Sequence, residues 1–311
     1  MNKGITIRSV NISINKGTIK HPVDSITLVE GGVEGDAHLG YGIREVSLLG
    51  IESIEKFEKQ NNQKIEFGEF AENITTSGLL LYQTHPLDRF IDEDMELEVT
   101  QIGKECHGTS CMIFKETGNC IMPKEGIFCR VIKSGIMKPG TELSYQPKIY
   151  KIHIITLSDR ASRGEYEDRS GPRIKGLLEE FFAYQQLLFT IECTLIPDDP
   201  DHLRSILIGD REAGKDVIFT TGGTGIGPRD FTPDVIKPLL DKEIPGIMEF
   251  IRMKYGADKP NALVSRSIAG VMGQSLIFSL PGSVKAVDEY MTEILKSLVH
   301  LIYMLHGLDR H

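Results

Sequence analysis

Four glycines fall within six residues directly after an apolar run. Val217-Ile218-Phe219 leads into Thr220-Thr221-Gly222-Gly223-Thr224-Gly225-Ile226-Gly227-Pro228-Arg229-Asp230. A strand that ends this way, with a new helix start at Thr232-Pro233, builds a backbone cradle for an anion. Glycine reaches positive φ and lets several N–H groups approach one phosphate. A phosphorylated ligand is therefore expected at the loop, with Asp230 at its rim, where a metal ion would neutralise that ligand.

At 311 residues the chain is longer than one typical domain, so two are expected. Net charge is −9 and the acidity is shared: residues 1–147 carry 15 Lys+Arg against 21 Asp+Glu, and residues 148–311 carry 20 against 23. Neither half has the basic balance of a nucleic-acid binder, and nucleic acid is excluded as a partner. The most apolar segment, residues 283–306, holds Lys285, Asp288, Glu289, Glu293 and Lys296, which argues against a membrane span. No signal-peptide pattern opens the sequence, so five reduced cysteines in a cytoplasmic protein are expected.

The two halves differ in pattern. In the first, Ile5–Val10 and Met95–Thr100 alternate apolar and polar, the period of half-buried strands, with one amphipathic helix around Ile51–Phe57. Short strands punctuated by Gly31-Gly32, Gly35, Gly40, Gly42, Gly68 and Gly103 indicate a β-rich, barrel-like domain over residues 1–147. Residues 138–147 form the boundary. Beyond it, strand candidates at Lys151–Leu157, Thr190–Ile196, Asp216–Thr221 and Ser275–Leu280 alternate with helical patterns. These are Leu203/Ile206/Leu207 and Val284/Val287/Met291/Ile294/Leu298/Leu301/Leu305. That rhythm predicts a mostly parallel sheet covered on both faces over residues 148–311, an α/β domain that binds ligands beyond the carboxyl ends of its strands.

Polar sequences follow each of the four strand candidates and are expected to meet in one crevice. They are Ser158-Asp159-Arg160 with Asp168–Pro172, Asp198-Asp199-Pro200, the glycine loop ending in Arg229-Asp230, and Pro281-Gly282-Ser283. Structural duties compete. Asp199 suits an N-cap before Pro200, which leaves Asp198 unexplained. Thr232 is the expected N-cap of the next helix, which leaves Asp230 unexplained. Ser170-Gly171-Pro172 reads equally as a mere helix start, and Pro281-Gly282-Ser283 taken alone is more often a turn and cap than a site. Two leftover carboxylates facing a phosphate cradle suit Mg²⁺, a hard ion that fills its shell with phosphate and water. Phosphate-group transfer needs mainly positioning and charge neutralisation. No Gly-x-x-x-x-Gly-Lys-Ser/Thr motif and no Ser/His/Asp or Cys/His arrangement stands out.

Residues 148–311 resemble the molybdopterin adenylyltransferase family, whose fold is shared with the G domain of gephyrin. The matching stretches are Thr156–Ser162, Tyr166–Pro172, Ile196–Asp199, Thr220–Pro233, Glu243–Gly246, Ser265–Gly270 and Leu280–Val287. The resemblance implies a three-layer α/β/α fold and Mg²⁺-dependent adenylylation of molybdopterin by ATP, with release of pyrophosphate. It carries the catalytic, Mg²⁺-holding pair onto Asp198 and Asp230. Substrate and nucleotide contacts fall on Ser158, Asp159, Gly222, Gly223, Thr224 and Gly225, with pterin-side contacts at Ser265, Arg266, Pro281, Gly282 and Ser283. It further implies a homo-oligomer, a trimer or a multiple of one, and partners among other cofactor-biosynthesis proteins.

Residues 1–147 more loosely resemble a MOSC domain, on Glu34–Gly40, Arg44 with Val46–Leu49, Phe67–Glu69, Glu72–Leu79 and Ile102–Cys106. The resemblance places a site at Cys106 with Asp36, Arg44 and Asn73. Where the family commonly has Pro-Arg-x-Pro-Cys, this chain has Gly-Lys-Glu-Cys-His. A Cys106 thiolate could ligate molybdenum or carry sulfur. Cys111, Cys120 and Cys129 follow at spacings unlike common zinc sites, and Cys193 in its strand pattern is expected in the core. Asp36 and His38 read at least as well as turn formers. A non-catalytic molybdopterin or cofactor carrier, and a scaffold, remain as competing readings.

Overall fold

The computed structural model describes residues 4–40, 42–105 and 120–308. The chain divides into two compact units, Met1–Lys148 and Ile149–His311.

In the first unit seven strands close into a barrel. Around it run Gly4–Ile12, Glu142–Gln146, Arg89–Ile91, Glu96–Ile102, Ile127–Lys133, Val46–Gly50 and Ile74–Ser77, which pairs back onto Gly4–Ile12. Alternation in the sequence turns one row of side chains inward, and Ile5, Ile7, Leu48, Phe90, Leu97, Val99 and Cys129 fill the interior. Val46–Gly50 and Ile74–Ser77 are neighbours and parallel, a pairing that requires a crossover rather than a hairpin. The helix Ile51–Asn61 begins that crossover, burying Ile54 and Phe57. Phe57 meets Phe70 edge-on with ring centroids 5.1 Å apart. A separate three-stranded sheet joins Gly135–Met137, Ile26–Val29 and Gly32–Val33.

The second unit is a six-stranded sheet in the order Leu188–Ile196, Ile149–Leu157, Val217–Thr221, Ser275–Leu280, Ala269–Met272, Lys242–Glu243. The first four are parallel and the last two antiparallel. Val217–Thr221 and Ser275–Leu280 are buried throughout, as continuous apolar strands covered on both faces must be. Leu203, Leu207, Val235 and Ile236 pack with Ile155, Ile218 and Ile277 on one side. Tyr150 meets Phe182 from the helix Ser170–Tyr184 at 5.6 Å. The long apolar pattern of residues 284–305 is two helices, Val284–Ile294 and Leu298–Leu305, not one.

Cys193 corrects an expectation. It is exposed, because Leu188–Ile196 is the edge strand and most of its side chains stay partly in solvent. A strand period reveals alternation, not position in the sheet. No helix among the described residues is long and apolar enough to cross a membrane.

Candidate functional site

The carboxyl ends of the parallel strands carry two adjoining cavities rather than one crevice. The first, about 330 Å³, is lined by Ser158, Asp159 and Arg160 after the first strand, Asp198 after the edge strand, and Gly223 with residues 227–230 of the glycine loop. The second, about 500 Å³, is lined by Gly222–Gly225 and Asp230, by Ser265, and by Pro281, Gly282 and Ser283. Gly223 and Asp230 belong to both walls.

The loop needs glycine for steric reasons. Gly222 sits at φ +107°, where a Cβ would come within 2.4 Å of the Leu157 carbonyl oxygen. A Cβ on Gly225 would come within 2.7 Å of Asp230 Oδ2. Asp230 Oδ2 accepts a hydrogen bond from Gly227 N at 2.8 Å, so this carboxylate also shapes its own loop. Thr232 is not the expected N-cap. It lies inside the helix Thr232–Ile236, and its hydroxyl donates to Gly222 O at 2.9 Å, tying the loop to the helix behind it. Asp199 does cap the helix Pro200–Glu212, accepting from Asp201 N and His202 N, which leaves Asp198 facing the cavity.

Asp198 and Asp159 hold each other through main-chain groups. Asp198 N donates to Asp159 Oδ1 at 3.0 Å, and Asp159 N to Asp198 Oδ2 at 3.4 Å. Arg229 crosses from the glycine loop to Asp159 Oδ2 at 2.9 Å. Burial pushes the Asp198 carboxyl above its usual range, and the nearby Asp159 and Asp230 charges add to this against the pull of Arg229.

Arg266, expected as a pterin contact, is occupied with the loop itself. Its Nε donates to Gly225 O at 2.7 Å, a terminal nitrogen to Asp230 O, and the other to both Asp234 oxygens at 2.8 and 2.9 Å. Ser265 Oγ accepts from the Tyr290 hydroxyl at 3.0 Å. Ser283 caps the helix Val284–Ile294, and Ser158 caps the turn Asp159–Ser162, so both serve structure while lining a cavity. Asp168 does not join the crevice. It receives Ser170 N, Gly171 N and the Thr156 hydroxyl at the start of the helix Ser170–Tyr184. The sequence reasoning had Arg229 and Lys285 within its motifs without giving either a role, and it missed Lys259 and Tyr290 as lining residues. Arg229 sits inside the loop motif, and Lys285 just after Pro281-Gly282-Ser283, so both were within reach of that reasoning.

In the barrel, Asp36 and Asn73 come together. Asp36 Oδ2 accepts from Asn73 Nδ2 and Ser13 N, each at 3.1 Å, and forms an ion pair with Lys20, whose side chain is 2% exposed. His38 N donates to Asp36 Oδ1 at 3.0 Å, which makes these two residues turn formers as well. Asn73 Oδ1 accepts from Ser47 N and Oγ. Against the upward push of burial, hydrogen bonds from His38 and Lys20 hold the Asp36 carboxyl far below its usual range. Arg44 is placed over the Phe128 ring, 5.9 Å from its centroid. Cys106 and Cys111 lie outside the described residues. Cys120 is half-buried, and Cys129 is buried in the barrel, where desolvation pushes its thiol well up.

A family profile described as a probable molybdopterin binding domain matches residues 153–300, which contain all the strand ends described above. The molybdopterin adenylyltransferase of Pyrococcus furiosus is 37% identical over 160 residues, covering 50% of this chain and 91% of that protein. This chain belongs to the molybdopterin adenylyltransferase family. Gephyrin of Dictyostelium discoideum is 37% identical over 162 residues, 50% of this chain; the chain spans only 22% of gephyrin's length. Among solved structures, the molybdopterin biosynthesis enzyme MoaB of Thermus thermophilus is similar at 36% identity and a TM-score of 0.46, covering 51% of this chain and 97% of that one.

Proposed function

We propose that residues 148–311 form a Mg²⁺- and ATP-dependent molybdopterin adenylyltransferase of molybdenum cofactor biosynthesis. We propose with it that residues 1–147 form a MOSC-like domain of the same route, binding pterin, metal or sulfur. The observation that carries the reading is the position of Asp230, on a wall common to two cavities, with Asp198 in the smaller one. A ligand in each cavity brings its phosphate to the glycine loop between them. The smaller cavity, lined by Ser158, Arg160 and Arg229, suits a phosphate chain; the larger, with Val264, Ala286, Pro281 and Tyr290, suits a flat ring.

In the reaction the terminal phosphate oxygen of molybdopterin attacks the α-phosphorus of ATP. A new P–O bond forms as the bond from that phosphorus to the bridging oxygen breaks. Pyrophosphate leaves with that oxygen and the electron pair. The chain contributes position and field: loop amides beside Gly223–Gly225 face the phosphates, and Arg266 fixes the loop through Gly225 O and the Asp230 carbonyl.

The residues present fit Mg²⁺. Asp198 and Asp230 offer hard oxygen donors, and burial with like charge raises the proton affinity of Asp198, a penalty that a cation would relieve. Among the described residues no group of three or more His, Cys, Asp or Glu could hold a metal alone. When bound, Mg²⁺ withdraws charge from the phosphate oxygens.

Exposed Phe250, Met253 and Leu263 support the expected homo-oligomer. In the barrel, the buried Lys20–Asp36–Asn73 network supplies a rigid base for the MOSC-like site. The test is incubation of the full chain with molybdopterin and Mg-ATP, followed by mass analysis. Adenylylated pterin and pyrophosphate are expected only when both substrates are present. Pterin binding without pyrophosphate release would leave a carrier instead. A Cys106→Ser sample run in parallel reads the barrel's contribution, with adenylylation expected to continue.

A further inference from the structure

The smaller cavity contains an ion pair that ties two of its lining residues to each other. Asp159 and Arg229 stand seventy residues apart in sequence, both line the cavity, and they meet at 2.9 Å. Arg229 is 73% exposed and Asp159 23%. An ion pair this open to water is weak and exchangeable. Arg160, the other cation of the cavity, lies with its guanidinium over the Tyr166 ring at 5.0 Å. Among the described residues, Arg229 is thus the cavity cation held by a partner it can leave.

Resting on the adenylyltransferase reading, we propose that Arg229 exchanges Asp159 for the β- and γ-phosphates of the nucleoside triphosphate and holds the departing pyrophosphate. A guanidinium presents a planar fork of donors that matches phosphate oxygens better than it matches a single carboxylate oxygen. The exchange has a second consequence. Asp159 loses its cation while it stays beside Asp198, to which it is bonded through Asp198 N. The acidic side of the cavity becomes more negative as the phosphates arrive, and its affinity for a divalent cation rises. Phosphate chain and cation therefore bind cooperatively, through one arginine that changes partners.

The experiment compares wild type, Arg229→Ala, Arg229→Lys and Asp159→Asn as full-length chains. It measures KM for Mg-ATP, KM for molybdopterin, product inhibition by pyrophosphate, and calorimetric binding of pyrophosphate and AMP. In Arg229→Ala, KM for Mg-ATP and the inhibition constant of pyrophosphate each rise about tenfold or more, the scale of losing a charge-assisted hydrogen bond. AMP, which lacks the β- and γ-phosphates, binds as before, and KM for molybdopterin holds. Arg229→Lys restores part of the pyrophosphate affinity. Asp159→Asn moves it the other way, because Arg229 no longer has a carboxylate to leave. Equal weakening of AMP and pyrophosphate in Arg229→Ala, or no change in either, overturns the proposal. If wild type makes no adenylylated pterin, the adenylyltransferase reading fails. If it does and Arg229→Ala keeps its pyrophosphate inhibition, only the role of Arg229 fails.

Discussion

Both units bury or half-bury carboxylates, and they treat them in opposite ways. In the barrel, Asp36 is surrounded by donors, from Lys20, Ser13 N, His38 N and Asn73, and its charge is answered within the fold. In the α/β unit, Asp198 faces a cavity with Asp159 and Asp230 nearby, and the cation beside them, the exposed Arg229, is paired with Asp159 rather than with Asp198. The first arrangement holds Asp36 below the usual carboxylate range, and the second pushes Asp198 above it. A satisfied carboxylate stabilises its own fold, whereas an unsatisfied one is available to a ligand.

The largest effect expected from breaking this contrast is in the barrel. Asp36→Ala leaves the Lys20 ammonium buried without its counter-ion, at a cost of about 3–5 kcal/mol. Hydrogen exchange on the full chain would show it as lost protection in the strand Gly4–Ile12, with Val217–Thr221 unaffected. Unchanged protection would mean that the pair contributes nothing. Next comes the unsatisfied side. Asp230→Ala should lower adenylylation about 10²–10³-fold, the scale of removing one element of transition-state electrostatics. Steady-state turnover would check it, and a wild-type rate would remove Asp230 from the mechanism.

The smallest effect has a sign that separates the two kinds of carboxylate. Because burial and like charge raise the folded value of Asp198, its contribution to stability is full at low pH and is lost as pH rises through that value. Asp198→Asn keeps the uncharged shape, so it should melt above wild type at neutral pH while losing activity. The gain should vanish by about pH 3, where carboxylates are protonated. Asp36, with its folded value depressed, behaves in reverse: its stabilisation persists at neutral pH and is lost as pH falls through that depressed value. Melting curves across pH for both variants would settle the contrast, and parallel pH profiles would erase it.

Much of this was legible in local pattern. Alternation at Ile5–Val10 marks a strand because side chains on extended backbone point to opposite faces. The Ser275–Leu280 run marks a strand buried on both faces, and Asp199-Pro200 marks a helix start, because those constraints act between near neighbours in sequence. The glycine loop was equally plain, since Gly222 must occupy a backbone region that other residues avoid. The division of the strand ends between two cavities was not legible, nor was the loss of Asp168 to a helix start.

What the sequence determined by itself was therefore the strand and helix pattern of the α/β unit, two strands of the barrel, the cap at Asp199, and Asp198 as a residue that capping leaves over. The tertiary structure alone decided who meets whom: Arg229 with Asp159, Arg266 with the carbonyls of its own loop's wall, Lys20 with Asp36, and Cys193 in solvent on an edge strand. The physical reason is range. Backbone torsion and side-chain period are fixed over a few residues, whereas the partner of a charge is fixed by strand order, which no local window contains.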